Sequence, residues 1–404
     1  MKEFTITNSE KLRRIDPVIL CCALGMSLLS ILTLVATSDA YGTWYVKRQI
    51  LAVSVGFAAM MVMTFIDYDA LISRMKYVFF ALTVGLMIIV GIWGTGSYGN
   101  ENWISIGSFS FQPSELVKIT YIIVYALHLD KLKDKINHPL SVLQLGLHAM
   151  LIFGLVMLTG DLGMGLVYLA ITAIMIFVAG LSLWYFAGVI AAVIAAAPVL
   201  WPYLSERQQL RILVGFNPDL DPLDVGWQAI ASRNCIISGG FRGAGFSGGT
   251  KYFSLGEGQS DFLFAAFAEK FGFMAAFLYI ALITTMIIRI LWIARGTRKN
   301  YAAYICVGIA GMLLAQSAEN IGMCLAMLPV VGITLPFFSY GVSSMVSMYL
   351  CIGVVQSICA HNKKYYFERE NGSRISYNVN NLSRGGNFFT KKFPPHPFQK
   401  ISIY

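Results

Sequence analysis

The chain has 404 residues and little charge: Asp, Glu, Lys and Arg together make up 13% of it. Soluble domains carry about a quarter, so an ordinary soluble enzyme is excluded. Metal-ligand spacing is also missing. Of the seven cysteines, six fall inside apolar runs and only Cys235 lies outside them, which leaves no disulfide framework to read. His128, His138 and His148 sit on or beside the ends of apolar segments without Cys or carboxylate partners at metal spacing, and they are read as structural or solvated. The first apolar stretch is too long, and too poor in small residues at a cleavage point, for a removed leader; it is expected to stay as an anchor. No solenoid-type repeat is present.

What the chain has is apolar length. With 57% hydrophobic residues, runs long enough to cross about 30 Å of hydrocarbon recur near 17–38, 46–66, 77–94, 114–129, 141–159, 163–181, 183–204, 262–290, 301–326 and 338–360. The expected fold is an all-α polytopic membrane protein of about ten transmembrane helices, with a large outer loop, 205–261, between helices 7 and 8. Residues 1–16 form a cytoplasmic segment, 17–360 the membrane domain, and 361–404 a basic tail rich in Asn, Ser and Gly that is expected to be disordered. An N-terminus inside puts 21 of the 30 Lys and Arg residues on the cytoplasmic side, so both termini are assigned there. The net charge of +9 is then accounted for by topology and anionic membrane lipid, and gives no reason to invoke nucleic acid. Lys47, Arg48 and the outer-loop cations Arg207, Arg211, Arg233, Arg242 and Lys251 resist the rule. They suggest an anionic partner outside, or a long loop translocated regardless of its charge.

Intramembrane ionisable groups are costly, at about 2.5–3.5 kcal/mol each on insertion scales, and are usually paired and often functional. Glu115 and Lys118 open an apolar segment at (i, i+3) spacing, close enough on a helix to pair, either for function or as a buried structural ion pair that fixes helix orientation. Asp161 lies near an outer edge, and Glu319 with Asn320 adds polarity to the ninth run. The outer loop turns rich in glycine from Gly226 to Gly249, with Trp227, Ile230, Ile236 and Phe241 interleaved, so it is expected to pack and not to act as a linker. Within it, 226–238 reads as a short amphipathic helix at the outer membrane surface. Asp261 ends the loop at the mouth of the eighth run, either as a base toward a lipid-borne substrate or as a helix-capping carboxylate. Residues 328–341, apolar but broken by Pro329, Gly332 and Pro336, read as a re-entrant or interfacial loop, or equally as plain packing.

Six strings in order are carried by this chain: Trp103 through Lys118 with its Phe-Gln-Pro-Ser-Glu core, Asp161-Leu162-Gly163, Asn217-Pro218 through Pro222, Ser238-Gly239-Gly240, Asp261-Phe262, and Leu328-Pro329 through Ser344. Over about 17–360 they resemble the SEDS family of cell-wall polymerases, typified by RodA, FtsW and SpoVE. The resemblance implies glycan polymerisation from lipid II at the outer membrane face, with undecaprenyl pyrophosphate as leaving group. It implies Asp261 as the residue that activates the acceptor hydroxyl, and Glu115, Lys118 and Asp161 as cavity residues. The family works with a class B penicillin-binding protein, a transpeptidase, in the bacterial cytoplasmic membrane. Charge on the departing diphosphate calls for cations, for which Arg207, Arg211, Lys118 or a divalent ion such as Mg or Mn are candidates, the ion without any ligand motif behind it. The chain departs from the family at Asn102, where an arginine is usual, at Ala244, at Gln259 and at Val342. A lipid II flippase using the intramembrane charges, or a scaffold for the transpeptidase, are the competing readings.

Overall fold

The computed structural model describes residues 14–97, 100–106, 109–203, 206–224 and 226–362. The basic tail expected beyond residue 361 lies, from 363 onward, outside the described residues. The helices are α1 (Pro17–Ala36), the short α2 (Ser38–Tyr41), α3 (Thr43–Phe65), α4 (Tyr68–Trp93), α5 (Pro113–Leu132), α6 (Pro139–Leu158), α7 (Leu162–Val178), α8 (Leu183–Leu200), α9 (Glu206–Phe216), α10 (Trp227–Gly239), α11 (Leu263–Gly296), α12 (Asn300–Cys324) and α13 (Val342–His361). Seven of them, α1, α3, α4, α6, α11, α12 and α13, are long and apolar enough to cross a membrane. Helices α7 and α8 are apolar but shorter. Each apolar run of the sequence falls on a helix.

Capping chemistry sets several boundaries. Asp16 accepts from the amides of Val18 and Ile19 ahead of Pro17, and His138 accepts from Leu140 ahead of Pro139. Asp67 caps α4 in the same way, so this helix starts at Tyr68 instead of near 77, with Arg74 and Lys76 riding on its first turns. The last helix starts later than expected. Residues 338–341 are held in turns, the Ser339 amide on the Leu335 carbonyl and the Leu335 amide on the Ser339 hydroxyl.

A three-stranded antiparallel sheet, β1 (Thr95–Ser97), β2 (Asn100–Ile106) and β3 (Phe109–Phe111), was not expected from the apolar pattern. Its strands are too short to announce themselves, yet it connects α4 to α5 and delivers Asn102 and Gln112 to the top of α5.

Helices α12 and α13 are the most enclosed spans, and α5 packs between them and α4. Helix α13 lies along α3, and α11 packs on α1, α10 and α12. Small residues let backbones approach: Gly308 faces Ile122 and Met175, and Gly353 faces Met60 and Met63. At the end of the bundle where the first helix begins, Arg289 pairs with Asp16 at 2.6 Å, and Gln356 exchanges two hydrogen bonds with the Asp16 backbone at 2.8 and 2.9 Å. Helix α8 differs from the rest, because none of its described side chains is buried.

Helix α11 is broken. Gly272 takes φ 76° and ψ −175°, separating a short first segment, 263–271, from the long span 273–296. The restarting span has its first amides satisfied by the outer loop: Phe273 donates to the Gly240 carbonyl at 2.9 Å and Met274 to that of Phe241 at 3.4 Å. A side chain at 272 would collide with the backbone of Phe241 to Gly243, so glycine is required for both conformation and fit.

Candidate active site

Among the described residues, the segment 205–261 carries helices α9 and α10 and a series of turns. Helix α10 takes the place of the expected short helix, and its small residues Ala229, Ser232, Cys235 and Gly239 pack on protein, chiefly α11, while Trp227 and Ile237 stay exposed. The loop then runs through glycine turns to a tight turn at Glu257, whose φ is 51° and whose carbonyl accepts from the amides of Ser260, Asp261 and Phe262. This turn presents Asp261 immediately before α11.

Asp261 is held from behind. Its carbonyl accepts from the Asn320 side-chain amide at 2.8 Å, and the same nitrogen reaches the Ile333 carbonyl at 2.6 Å. Its carboxylate lies against Gly332, where a Cβ would come within 3.2 Å of Oδ2. So the broken segment 328–341, which the sequence left open between plain packing and a re-entrant role, closes one wall around the aspartate. Among the described residues no donor reaches the Asp261 carboxylate oxygens. Enclosure pushes its pKa up to about 7, with the carboxylates of Glu257 and Asp161 adding to the rise. Such a group is a base matched to neutral pH.

The other sequence candidates divide into two groups. Glu115 and Lys118 form an ion pair at 2.7 Å and are both buried. Asp161 caps α7 through Oδ1, which accepts from the Met164 amide at 2.9 Å. Its Oδ2 accepts from Asn102 at 2.7 Å and from Gln112 at 3.2 Å. Burial raises the Asp161 pKa, the Met164 and Asn102 donors oppose the rise, and the charges of Glu115 and Lys118 both reach it. Asp161, Asp261, Glu115 and Lys118 therefore share one electrostatic field. Asn102, the departure from the family's arginine, has a role here as a donor to Asp161. The backbones of Arg207 and Arg211 lie in α9, and their side chains lie outside the described residues.

Sequence reasoning missed the anchoring role of Asn320 and all of Glu269 and Lys270. Adjacent opposite charges on an apolar run were a visible signal for the last two. Both are buried in the first segment of α11. His128 and His148 share no ligand face with carboxylates, but they do meet each other, Nδ1 to Nδ1 at 3.1 Å. Among the described residues no three His, Cys, Asp or Glu side chains converge to hold a metal ion.

A family model described as "Cell cycle protein", covering FtsW, RodA and SpoVE, matches residues 14–364. The chain belongs to the FtsW/RodA/SpoVE family. It is 32% identical over 356 residues to the peptidoglycan glycosyltransferase MrdB of Escherichia coli K12, covering 86% of this chain and 94% of that one. Stage V sporulation protein E of Bacillus subtilis is 31% identical over 367 residues, covering 87% and 99%. Among solved structures, a chain from a study of the coordination of polymerization and crosslinking by a peptidoglycan synthase complex superposes with a TM-score of 0.76 at 26% identity, covering 86% and 98%. Thermus thermophilus RodA shares the fold, with a TM-score of 0.65 at 22% identity over 86% of this chain and 98% of that one. In this FtsW/RodA/SpoVE member, all six strings that carried the resemblance lie within the matched residues, and the Asp161 and Asp261 strings meet in one field.

Proposed function

We infer that the chain is a peptidoglycan glycosyltransferase that joins lipid II disaccharide units into glycan strands for wall synthesis in cell shape, division or sporulation. Asp261 carries this reading: a carboxylate that no donor among the described residues reaches, half enclosed between the loop and a broken apolar segment, with its pKa near neutrality. It takes the proton of the acceptor hydroxyl as that oxygen bonds to the anomeric carbon of the donor sugar. The bond from that carbon to the diphosphate oxygen breaks, and undecaprenyl pyrophosphate leaves with the electron pair. Because the leaving group departs as a stable anion, no second carboxylic acid is required, in contrast to glycoside hydrolysis.

Lys118, whose charge reaches Asp161, supplies positive potential beneath the site, while Glu115 holds it in place. Arg207 and Arg211 are proposed to meet the diphosphate from the outer loop. The expected divalent cation stays outside this mechanism, since no ligand set for one is present among the described residues. The proposed topology is ten spans with both termini cytoplasmic, which puts the loop and Asp261 toward the outer face of the cytoplasmic membrane. A class B penicillin-binding protein is the proposed partner, supported by the structural neighbour from a peptidoglycan synthase complex that coordinates polymerization and crosslinking.

Purified protein given lipid II is expected to make glycan strands, and Asp261→Asn is expected to abolish them at an unchanged yield of folded protein. Wild-type polymer from that variant would refute the assignment.

A further inference from the structure

Glu269 is a buried carboxylate on α11, two helical turns beyond Asp261, and the mechanism above does not use it. Its two oxygens gather three consecutive loop amides: Thr250 at 3.0 Å and Lys251 at 2.9 Å on Oε1, and Tyr252 at 2.7 Å on Oε2. The Cys235 thiol of α10 adds a fourth donor at 3.1 Å on Oε2. Burial, followed by the hydrogen bond to Glu269, holds the Cys235 thiol protonated. Approach from the loop side is open only because position 249 is glycine: with φ 81°, a Cβ there would come within 2.9 Å of Oε1.

The same short segment grips the loop by its backbone and by its neighbouring residue. The carbonyls of Glu269 and Lys270 accept from Ala244 at 2.8 Å and Gly245 at 2.9 Å. Lys270 donates to the Phe246 carbonyl at 3.3 Å and lies 4.2 Å from the centre of the Tyr252 ring. Tyr252 passes the restraint onward. Its hydroxyl donates to Asp39 at 2.6 Å, and its carbonyl accepts from the Tyr41 hydroxyl at 2.9 Å. The Tyr41 hydroxyl in turn abuts Gly258, in the turn that presents Asp261.

We propose that Glu269 is a positioning residue for polymerisation: by gathering the amides of residues 250–252 it fixes, through Tyr252 and Tyr41, the turn that aims Asp261. This rests on the reading of Asp261 as the base. A carboxylate accepting several backbone amides is strongly bound to its loop, and removing the charge weakens those bonds together. The loop then loosens, water reaches Asp261, and its pKa falls toward that of a solvated aspartate. The groups facing Asp261 are Glu257, Asp161 and Cys324, and those facing Glu269 are Cys235, Tyr41 and Tyr252.

The test compares wild type, Glu269→Gln, Tyr41→Phe and Asp261→Asn as full chains in nanodiscs, with lipid II as substrate. For Glu269→Gln we expect kcat to fall about tenfold with KM little changed, and the acid limb of the pH–rate profile to move down by about half a unit or more. Hydrogen exchange at Thr250, Lys251 and Tyr252 should be faster than in wild type. Tyr41→Phe removes one hydroxyl at the far end of the relay and is expected to shift the limb in the same direction without changing exchange at those amides. A limb that stays in place in both variants overturns the proposal, even if total activity falls, because fewer folded molecules lower the amplitude without moving the pKa. If Asp261→Asn still polymerises, the reading of Asp261 fails instead, whatever Glu269→Gln does.

Discussion

At the scale of single residues, the site depends on which charges are left unbalanced. Glu257 lies one turn before Asp261 and, after burial, is the largest contributor to its raised pKa. A raised pKa keeps the carboxyl protonated below about pH 7, and a base must be ionised, so polymerisation is expected to rise through that region toward higher pH. Glu257→Gln removes one repelling charge and should move the acid limb of kcat/KM to lower pH, which a profile with lipid II measures. Glu115 and Lys118 test another side of the same field. Lys118→Met leaves a buried carboxylate unpaired and should cost about 3–5 kcal/mol by thermal or denaturant unfolding. Glu115→Leu with Lys118→Met should recover most of that stability while polymerisation stays low, if the pair serves the substrate as well as the fold. Most of this was legible in the sequence, since charges stand out in an apolar chain. The role of Asn320 was not, because a buried amide inside a helix says nothing of the two carbonyls from distant segments that it joins.

At the scale of elements, the sequence located the helices and missed their interruptions. Hydropathy reports the length of an apolar run, and the run through 262–290 carries Glu269, Lys270 and Gly272 without losing its apolar average, so hydropathy does not mark Gly272 as the point where α11 stops and restarts. That break exists because the loop backbone occupies the space a side chain would need, a tertiary cause with no local signal. Gly272→Ala is therefore expected to be strongly disruptive. Adopting φ 76° costs a non-glycine residue about 1–3 kcal/mol, and the clash with Phe241 to Gly243 adds to it. The measurement is the yield of folded protein and its melting temperature against Gly91→Ala, where a Cβ meets open space. The three-stranded sheet escaped notice for a similar reason: strands of three, seven and three residues offer too few positions for alternation to show.

At the scale of the whole molecule, charge and burial fall on different helices. Helix α8 is apolar along its length and has no buried side chain among those described, so the bilayer alone can hold it. Helix α5 is the reverse: it carries the buried Glu115–Lys118 pair, and its enclosure is completed by α12 and α13, which begin at residues 300 and 342. Each such charge facing lipid costs about 2.5–3.5 kcal/mol. During synthesis α5 is therefore expected to wait for segments made roughly half a chain later. Chains truncated before α12 are expected to insert α8 stably but to lose α5 from the membrane, as glycosylation mapping of each segment would read. Replacing the pair with Leu and Met should restore α5 in the same truncations. The buried ion pair thus sets an order of assembly, in which the last helices to emerge decide whether an early one stays.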